Sequence, residues 1–332
     1  MADSIHSVCQ PGQLLDGTCV MNVLVIGGNG FIGSHVVDAL LQSGVRVAVF
    51  DRGPEKFRPP LSRVKYYFGS LRDRASLERP FAEGIDAVIH LASTSGPKIS
   101  NDEPACDVEN IAATLVLLDV CVKFGVKRIV FASSGGTVYG IPQILPIPES
   151  HSTEPICSYG IGKLTVEKYL QLYQHLHSTS CVILRLANPY GMRQCPESAQ
   201  GVIPIFMSRM LKGEPLTIWG DGSFVRDFVS VRDIARLFLC AVASESTGIF
   251  NAGSGIGTSV NQLVNLLSSM LQIEPTVVRQ SPRRFDIPAV VLNCQKAKDV
   301  FGWEPKITLN EGILEVARWL ELAGSRQAPV FQ

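Results

Sequence analysis

The sequence predicts an α/β chain in which a doubly wound parallel sheet is followed by a smaller C-terminal α/β lobe. Three observations predict it. Residues 22–51, NVLVIGGNGFIGSHVVDALLQSGVRVAVFD, read as a strand, a glycine-rich turn, a helix and a second strand. Short apolar runs then alternate with helical patterns as far as about residue 190, the mark of βαβ units with right-handed crossovers. Beyond 190 the alternation loosens into turns and short segments, as in a smaller lobe. The division is therefore a leader over 1–20, a sheet domain over 21–190 that also receives 225–253, and a lobe from 191–224 and 254–332.

In order, 23–26 is a short, continuous apolar run, suited to a parallel strand buried on both faces. Gly27, Gly30 and Gly33 follow at Gly-x-x-Gly-x-x-Gly spacing. The first permits a sharp turn, the second lets backbone N–H groups approach a pyrophosphate, and the third lets the helix pack close to the strand. The helix places Ile32, Val36, Val37, Leu40 and Leu41 on one face and ends at Gly44. The strand 45–50 leads to Asp51, about 20 residues beyond the glycines, where a carboxylate binds ribose hydroxyls and repels a 2′-phosphate. This favours NAD over NADP, with Arg52 as a mild counterweight.

A third strand is expected over 64–68, a helix capped by Asp73, a fourth strand over 86–91 and a long helix over 104–124. That helix shows an apolar stripe at Val108, Ile111, Ala112, Leu115, Leu118 and Val122. The fifth strand, 128–132, runs into SSGGTVYG over 133–140, and the sixth covers 181–186 ahead of Asn188. Ligands belong at the carboxyl ends of such strands, where Asn29, Ser93, Thr94, Ser95, Ser133 and Ser134 fall. Helices are expected over 200–213, 234–242 and 310–322, with a strand and turn over 216–222 and a strand over 226–233. Arg226, Arg283 and Arg284 are guanidinium forks that suit a diphosphate, or they are plain surface charges.

Between strands five and six stands Tyr159-Gly-Ile-Gly-Lys163, opening a helix to about residue 177. Tyrosine and lysine four apart share one helical face. A phenol titrates near 10 in water. To act as a base at neutral pH it needs neighbouring positive charge, which Lys163 and an oxidised nicotinamide ring both supply.

Composition sets outer limits. With 332 residues, 46% hydrophobic and 18% charged, the chain has ample core for two domains or one domain with a lobe. Lys plus Arg equals Asp plus Glu at 30 each, so no global charge recruits nucleic acid or an anionic membrane. Nine scattered cysteines without a C-x-x-C pair or metal-ligand spacing point to reduced thiols, a cytoplasmic location and no metal. No stretch approaches the ~18 apolar residues of a membrane span. Residues 1–20 lack the features of a signal peptide; with Met21 just before the first strand, they are expected to be a disordered leader or to reflect an upstream start codon.

The motifs GGNGFIG, VIHLAS, VFASSGGTVYG, SYGIGK, ANPYG, VRDFVSVRDIA and RRFDIP, in this order over about residues 22–322, make the chain resemble the extended short-chain dehydrogenase/reductases. Within them it resembles the UDP-glucose 4-epimerase-like nucleotide-sugar epimerases. The resemblance implies a Rossmann-type NAD domain, a substrate lobe, and a homodimer through the helices at 104–124 and 159–177. It assigns Gly27, Gly30, Phe31, Ile32 and Gly33 to the pyrophosphate, Asp51 to the adenosine ribose, and Ser70 and Leu71 to the adenine side. Leu91, Ala92 and Asn110 fall to the nicotinamide half, with Ser133, Tyr159 and Lys163 also touching cofactor.

Ser134, Tyr159 and Lys163 are the catalytic residues it implies. Thr94, Ser134, Tyr159, Asn188, Val202, Arg226, Arg283, Asp286 and Val290 are the substrate residues. The family usually has Asp where Ser70 stands, which removes one adenine contact. The loop after strand five holds an additional glycine relative to the commonest pattern, which leaves Ser133 or Ser134 as the catalytic hydroxyl. Restrictive members carry a large aromatic where Val290 stands, so N-acetylated sugars are expected to have room here. The implied reaction is reversible inversion at C4 of a nucleotide hexose through a 4-keto intermediate. A dehydratase, decarboxylase or 4-ketoreductase, or an NAD-sensing protein without turnover, are the alternatives.

Overall fold

The computed structural model describes residues 21–94, 96–177, 179–197, 201–283 and 286–325. The leader expected over 1–20, Ser95 and Arg284 lie outside the described residues.

The first half is built from β1 (Asn22–Ile26), α1 (Phe31–Gln42), β2 (Arg46–Asp51), β3 (Val64–Phe68), α2 (Arg74–Phe81), β4 (Ala87–His90), α3 (Pro97–Asp102), α4 (Ala105–Lys123), β5 (Arg128–Ser134), α5 (Ser158–His177) and β6 (Ser180–Leu186). Then come β7 (Asn188–Tyr190), α6 (Val202–Leu211), β8 (Leu216–Trp219), β9 (Val225–Ser230), α7 (Val231–Ala243), β10 (Gly248–Ala252), β11 (Gly257–Ser259), α8 (Val260–Leu271), β12 (Val277–Gln280), β13 (Ala289–Val290), α9 (Gln295–Phe301) and α10 (Leu309–Ser325).

Seven parallel strands form one sheet in the order β10-β6-β5-β4-β1-β2-β3. The chain starts at β1, builds outward through β2 and β3, then crosses to β4 and builds the other way. This reversal between β1 and β4 is the topological switch point, where the crevice of a doubly wound sheet lies. The inner strands are buried on both faces, which is why 23–26, 87–89 and 129–132 read as continuous apolar runs rather than alternating ones. Two apolar clusters sandwich the sheet, one under α1 and α7 and one under α2, α4 and α5.

A second sheet, β11-β9-β13 with β7 on β9, joins the small lobe to the first domain, and β8 pairs with β12 beyond it. Segment 225–253 is thus shared: β9 pairs within the smaller sheet, whereas β10 is the edge of the large one. A third cluster around Met207, Leu216, Leu263 and Val316 fills the lobe.

Local capping signals set helix starts, at Asp73 as expected and at Ser259 as the structure shows. Asp73 caps α2 by accepting from Ala75 N, and Ser259 and Gln262 form a reciprocal capping box on α8. Two expectations need correction. β5 extends two residues past Ala132, because Ser133 and Ser134 stay in register with Arg185 and Leu186 of β6. On α4 the face turned to the core carries Asp107, Thr114, Leu117, Leu118 and Cys121, while Val108 and Ala112 of the apolar stripe are exposed. Periodicity finds a helix but does not say which apolar surface the monomer covers.

Candidate active site

The glycine-rich turn shows three glycines with three different tasks. Gly27 has φ +80°, and a Cβ on it would stand 2.9 Å from Ala92 N, so β1 and β4 close up at the switch point only without a side chain. A Cβ on Gly33 would stand 2.1 Å from Gly27 O, which makes this glycine the condition for α1 to pack on the turn. Gly30 is exposed, and its Cβ would meet nothing closer than Gly27 O at 3.4 Å. Gly30 is also the N-cap of α1 and offers no side chain to the first-turn N–H groups, which have no partner inside a helix. Those donors, with Phe31 and Ile32 half-buried beside them, suit an anion.

Asp51 closes the turn from the next strand. Its Oδ2 accepts from Asn29 N at 2.9 Å and its Oδ1 from Arg52 N at 2.7 Å. Asn29 Nδ2 in turn donates to Gly53 O at 2.7 Å, while Asn29 Oδ1 is buried without a partner. A half-buried carboxylate aimed at the crevice, an open glycine, free helix donors and an orphan acceptor form a cradle that fits a dinucleotide. Ser70 and Leu71 follow β3, with the Ser70 hydroxyl accepting from Arg72 N at 3.2 Å. Leu91 and Ala92, half-buried, follow β4 across from Gly27.

Behind the crevice a cavity brings together Ala92, Asn110, Tyr159 and Lys163 with His90, Asp107, Thr114 and Phe131. The Asn110 amide oxygen accepts from Thr94 N at 3.2 Å and from its hydroxyl at 2.8 Å, tying α4 to the end of β4. Lys163 is buried; its Nζ donates to Ala132 O at 2.9 Å and lies 4.8 Å from the Phe131 ring centroid and 5.5 Å from that of Tyr159. Burial pulls its ammonium down to about 8, against the opposing pull of Asp107 and Glu167. Burial pushes the Tyr159 phenol up, helped by Asp107 and Cys157. His90 is brought down to about 3 by burial and by Lys163, so it is neutral.

The two neighbouring hydroxyls at the end of β5 differ sharply. Ser133 is buried and donates to Glu167, whereas Ser134 is half-buried on the other side of the strand. Beyond them the two glycines also differ. A Cβ on Gly135 would strike Leu292 Cδ1 at 2.5 Å, whereas one on Gly136 would stand in open space, 3.8 Å from both Ser134 Oγ and Asn188 Oδ1. Gly136 therefore faces the space that Ser134 and Asn188 share.

The lobe contributes a cationic group. Val290 of β13 is buried and in register with Arg226 of β9. Arg226 donates to Ile287 O at 2.7 Å, and burial lowers its guanidinium. Arg283 and Asp286 bind each other in two hydrogen bonds of 2.9 and 2.7 Å, and the Arg283 guanidinium lies 5.4 Å from the centre of the Trp219 indole. Val202 opens α6 after Gly201 and is half-buried. Sequence reasoning missed Trp219, an exposed aromatic ending β8, and Glu167; the signal for Glu167 was its place four residues after Lys163.

A model of the NAD-dependent epimerase/dehydratase family matches residues 23–253. The chain belongs to that family. It is accordingly an NAD-dependent enzyme. Among curated relatives, the UDP-glucose 4-epimerase of Mycolicibacterium smegmatis is 34% identical over 308 residues, covering 90% of this chain and 98% of that protein. The dTDP-4-dehydro-6-deoxyglucose reductase of Escherichia coli is 32% identical over 302 residues, covering 88% and 95%. Among solved structures, the UDP-glucose 4-epimerase of Thermotoga maritima with UDP-glucose superposes with TM-score 0.88 at 40% identity, covering 91% and 99%. Among the described residues no helix is long and apolar enough to cross a membrane, and no group of three or more His, Cys, Asp or Glu is placed to hold a metal.

Proposed function

We propose that the protein inverts C4 of a nucleotide-activated hexose, UDP-linked by the similarity of its relatives, through a 4-keto sugar and without net redox. The observation that supports this best is the pairing of Tyr159 and Lys163 on one face of α5, both lining a cavity with Ala92 and Asn110; Ser134, Asn188 and a bare Gly136 border a common space at the end of β5. Bound NAD would supply reversible hydride acceptance at C4. Gly27, Gly30, Phe31, Ile32 and Gly33 would hold its pyrophosphate, Asp51 its adenosine ribose, and Leu91, Ala92 and Asn110 the nicotinamide half. Ser70 and Leu71 flank the adenine.

The chain's own groups handle the proton. Tyr159 takes it from the C4 hydroxyl, and Ser134 hydrogen-bonds the same oxygen. Since burial disfavours the phenolate, the positive Lys163 near its ring is the group that makes deprotonation feasible at neutral pH. Ser133 is spoken for by Glu167, so Ser134 is the catalytic hydroxyl. Arg226, Arg283 and Asp286 grip the diphosphate and nucleoside, the Trp219 face offers a platform for the base, and Thr94, Asn188 and Val202 border the sugar. Clamping at the diphosphate leaves the 4-keto sugar free to turn its other face. The exposed apolar side chains Val108, Ile161, Leu172 and Leu176 on α4 and α5, which pack side by side, are the surface for a homodimer.

A dehydratase or decarboxylase needs an acid beside the catalytic hydroxyl, and Gly135, Gly136 and Thr137 supply none. A 4-ketoreductase, as in the E. coli relative, remains the second enzymatic reading, because it needs the same tyrosine and lysine. Turnover in deuterated water across a panel of UDP- and dTDP-sugars separates them. The expected product is the C4 epimer without carbon-bound deuterium. Deuterium at C5, CO₂ release or net consumption of NADH would each replace this reading, and binding of NAD with no turnover of any sugar would leave a sensor. Within the panel, wild type is expected to accept N-acetylhexosamines, and Val290→Tyr to lose them more than UDP-glucose.

A further inference from the structure

Helix α5 carries a third buried polar residue in line with the two already described. Tyr159, Lys163 and Glu167 recur every four residues and so share one face. Lys163 Nζ is fastened to the carbonyl of Ala132, and Glu167 to the hydroxyl of the next strand residue, Ser133. The residue after that is Ser134. Glu167 is in addition gripped by Arg185 of β6, Nε to Oε1 at 3.0 Å and NH2 to Oε2 at 2.6 Å, with both side chains almost wholly buried. The Arg185 guanidinium lies 4.7 Å from the centre of the Tyr139 ring, whose hydroxyl donates to Asn251 Oδ1 at 2.7 Å.

A buried ion pair is poor evidence for stability, since desolvating two charges offsets most of their attraction. Its geometry is another matter. Apolar packing between a helix and a sheet is non-directional and tolerates small slides, whereas proton transfer demands heavy atoms within about 2.6–3.2 Å. We propose that Glu167 is a positioning residue for turnover: through Ser133 and Arg185 its carboxylate fixes α5 against β5, and so fixes Tyr159 relative to Ser134. The proposal rests on the reading of Ser134 and Tyr159 as the reacting pair.

The same carboxylate has an electrostatic reach that a purely structural residue lacks. The groups that face Lys163 are Asp107 from α4, Tyr159 and Glu167 from α5, and neutral His90 from β4, with Arg185 of β6 behind Glu167. Burial holds the Lys163 ammonium down at about 8, and the charges of Asp107 and Glu167 raise it. Neutralising Glu167 must therefore lower Lys163 further, and the cation that supports the phenolate is lost at a lower pH. The alkaline limb of turnover moves down.

The test uses the NAD-loaded enzyme with UDP-galactose or, where wild type turns it over faster, UDP-N-acetylgalactosamine. Glu167→Gln keeps the shape and removes the charge. The expectation is kcat lower by about 10- to 100-fold, KM within about threefold, and the alkaline limb at lower pH. Should the unpaired Arg185 prevent that variant from folding, Ser133→Ala leaves the ion pair whole and carries the test, with kcat about 3- to 10-fold lower at unchanged KM. Wild-type kcat in either folded variant overturns the proposal, as does a kcat loss in Glu167→Gln with the alkaline limb unmoved. A fully active Tyr159→Phe would instead remove the reading beneath it.

Discussion

The two halves of the site are made in opposite ways. The cofactor cradle comes largely from one continuous segment, Gly27 to Asp51, and its shape is a matter of backbone: a positive φ at Gly27, a bare Gly33 under the helix, uncapped N–H groups at Gly30. The proposed sugar side draws on Asn188, Val202, Arg226, Arg283, Asp286 and Val290. It is brought together by strand pairing, Asn188 against Phe228 and Val290 against Arg226. A backbone-made cradle fails as a unit when one Cβ intrudes. A site assembled from side chains loses one contact at a time.

The largest effect expected from this contrast is Gly33→Ala. The new Cβ would sit 2.1 Å from a backbone oxygen, and backbone cannot swing aside as a flexible side chain can. A loss of more than about 3 kcal/mol and of copurifying NAD is expected, read by thermal unfolding and by the nucleotide released on denaturation. A variant that keeps both would mean that α1 can back away from the turn, and the distinction between the halves would weaken.

Arg226→Met should be smaller and confined to the other half. Removing a charge-assisted donor costs about 1.5–3 kcal/mol, or roughly a 10- to 100-fold rise in KM for a UDP-sugar, with NAD content unchanged. An unchanged KM would take Arg226 out of the substrate site. The smallest effect belongs to Gly136→Ala. Its methyl group would meet only Ser134 Oγ and Asn188 Oδ1, each at 3.8 Å, so the melting temperature should stay within about 2 °C while kcat/KM falls a few-fold. Gly135→Ala makes the control, since its Cβ would meet Leu292 Cδ1 at 2.5 Å and Arg185 O at 3.1 Å in the packed interior and so should lower the melting temperature more than Gly136→Ala does. Equal behaviour of the two glycines would mean that Gly136 does not face the reaction space.

Particular residues show how much was legible. The glycine spacing, Asp51, the Tyr-x-x-x-Lys pair and the parallel order of strands could all be read from the chain, because each is a requirement of backbone geometry or of helical periodicity acting over a few residues. Reading α4 failed in part for the same reason: an apolar stripe is local, but the surface that covers it is not, and Val108 lies exposed while Asp107 is buried.

The sequence by itself therefore determined the Rossmann-type first domain, the preference for a dinucleotide at the first turn, and the phenol and ammonium on a shared helical face. Tertiary structure alone distinguished Ser133 from Ser134, because only the packing of α5 on β5 places Glu167 within reach of one hydroxyl. It alone separated Gly135 from Gly136 and set Arg283, Asp286 and Trp219 side by side. The physical reason is distance along the chain. Backbone conformation and periodicity are written in neighbouring residues, whereas the partner of a side chain comes from a strand or helix that sequence spacing does not place.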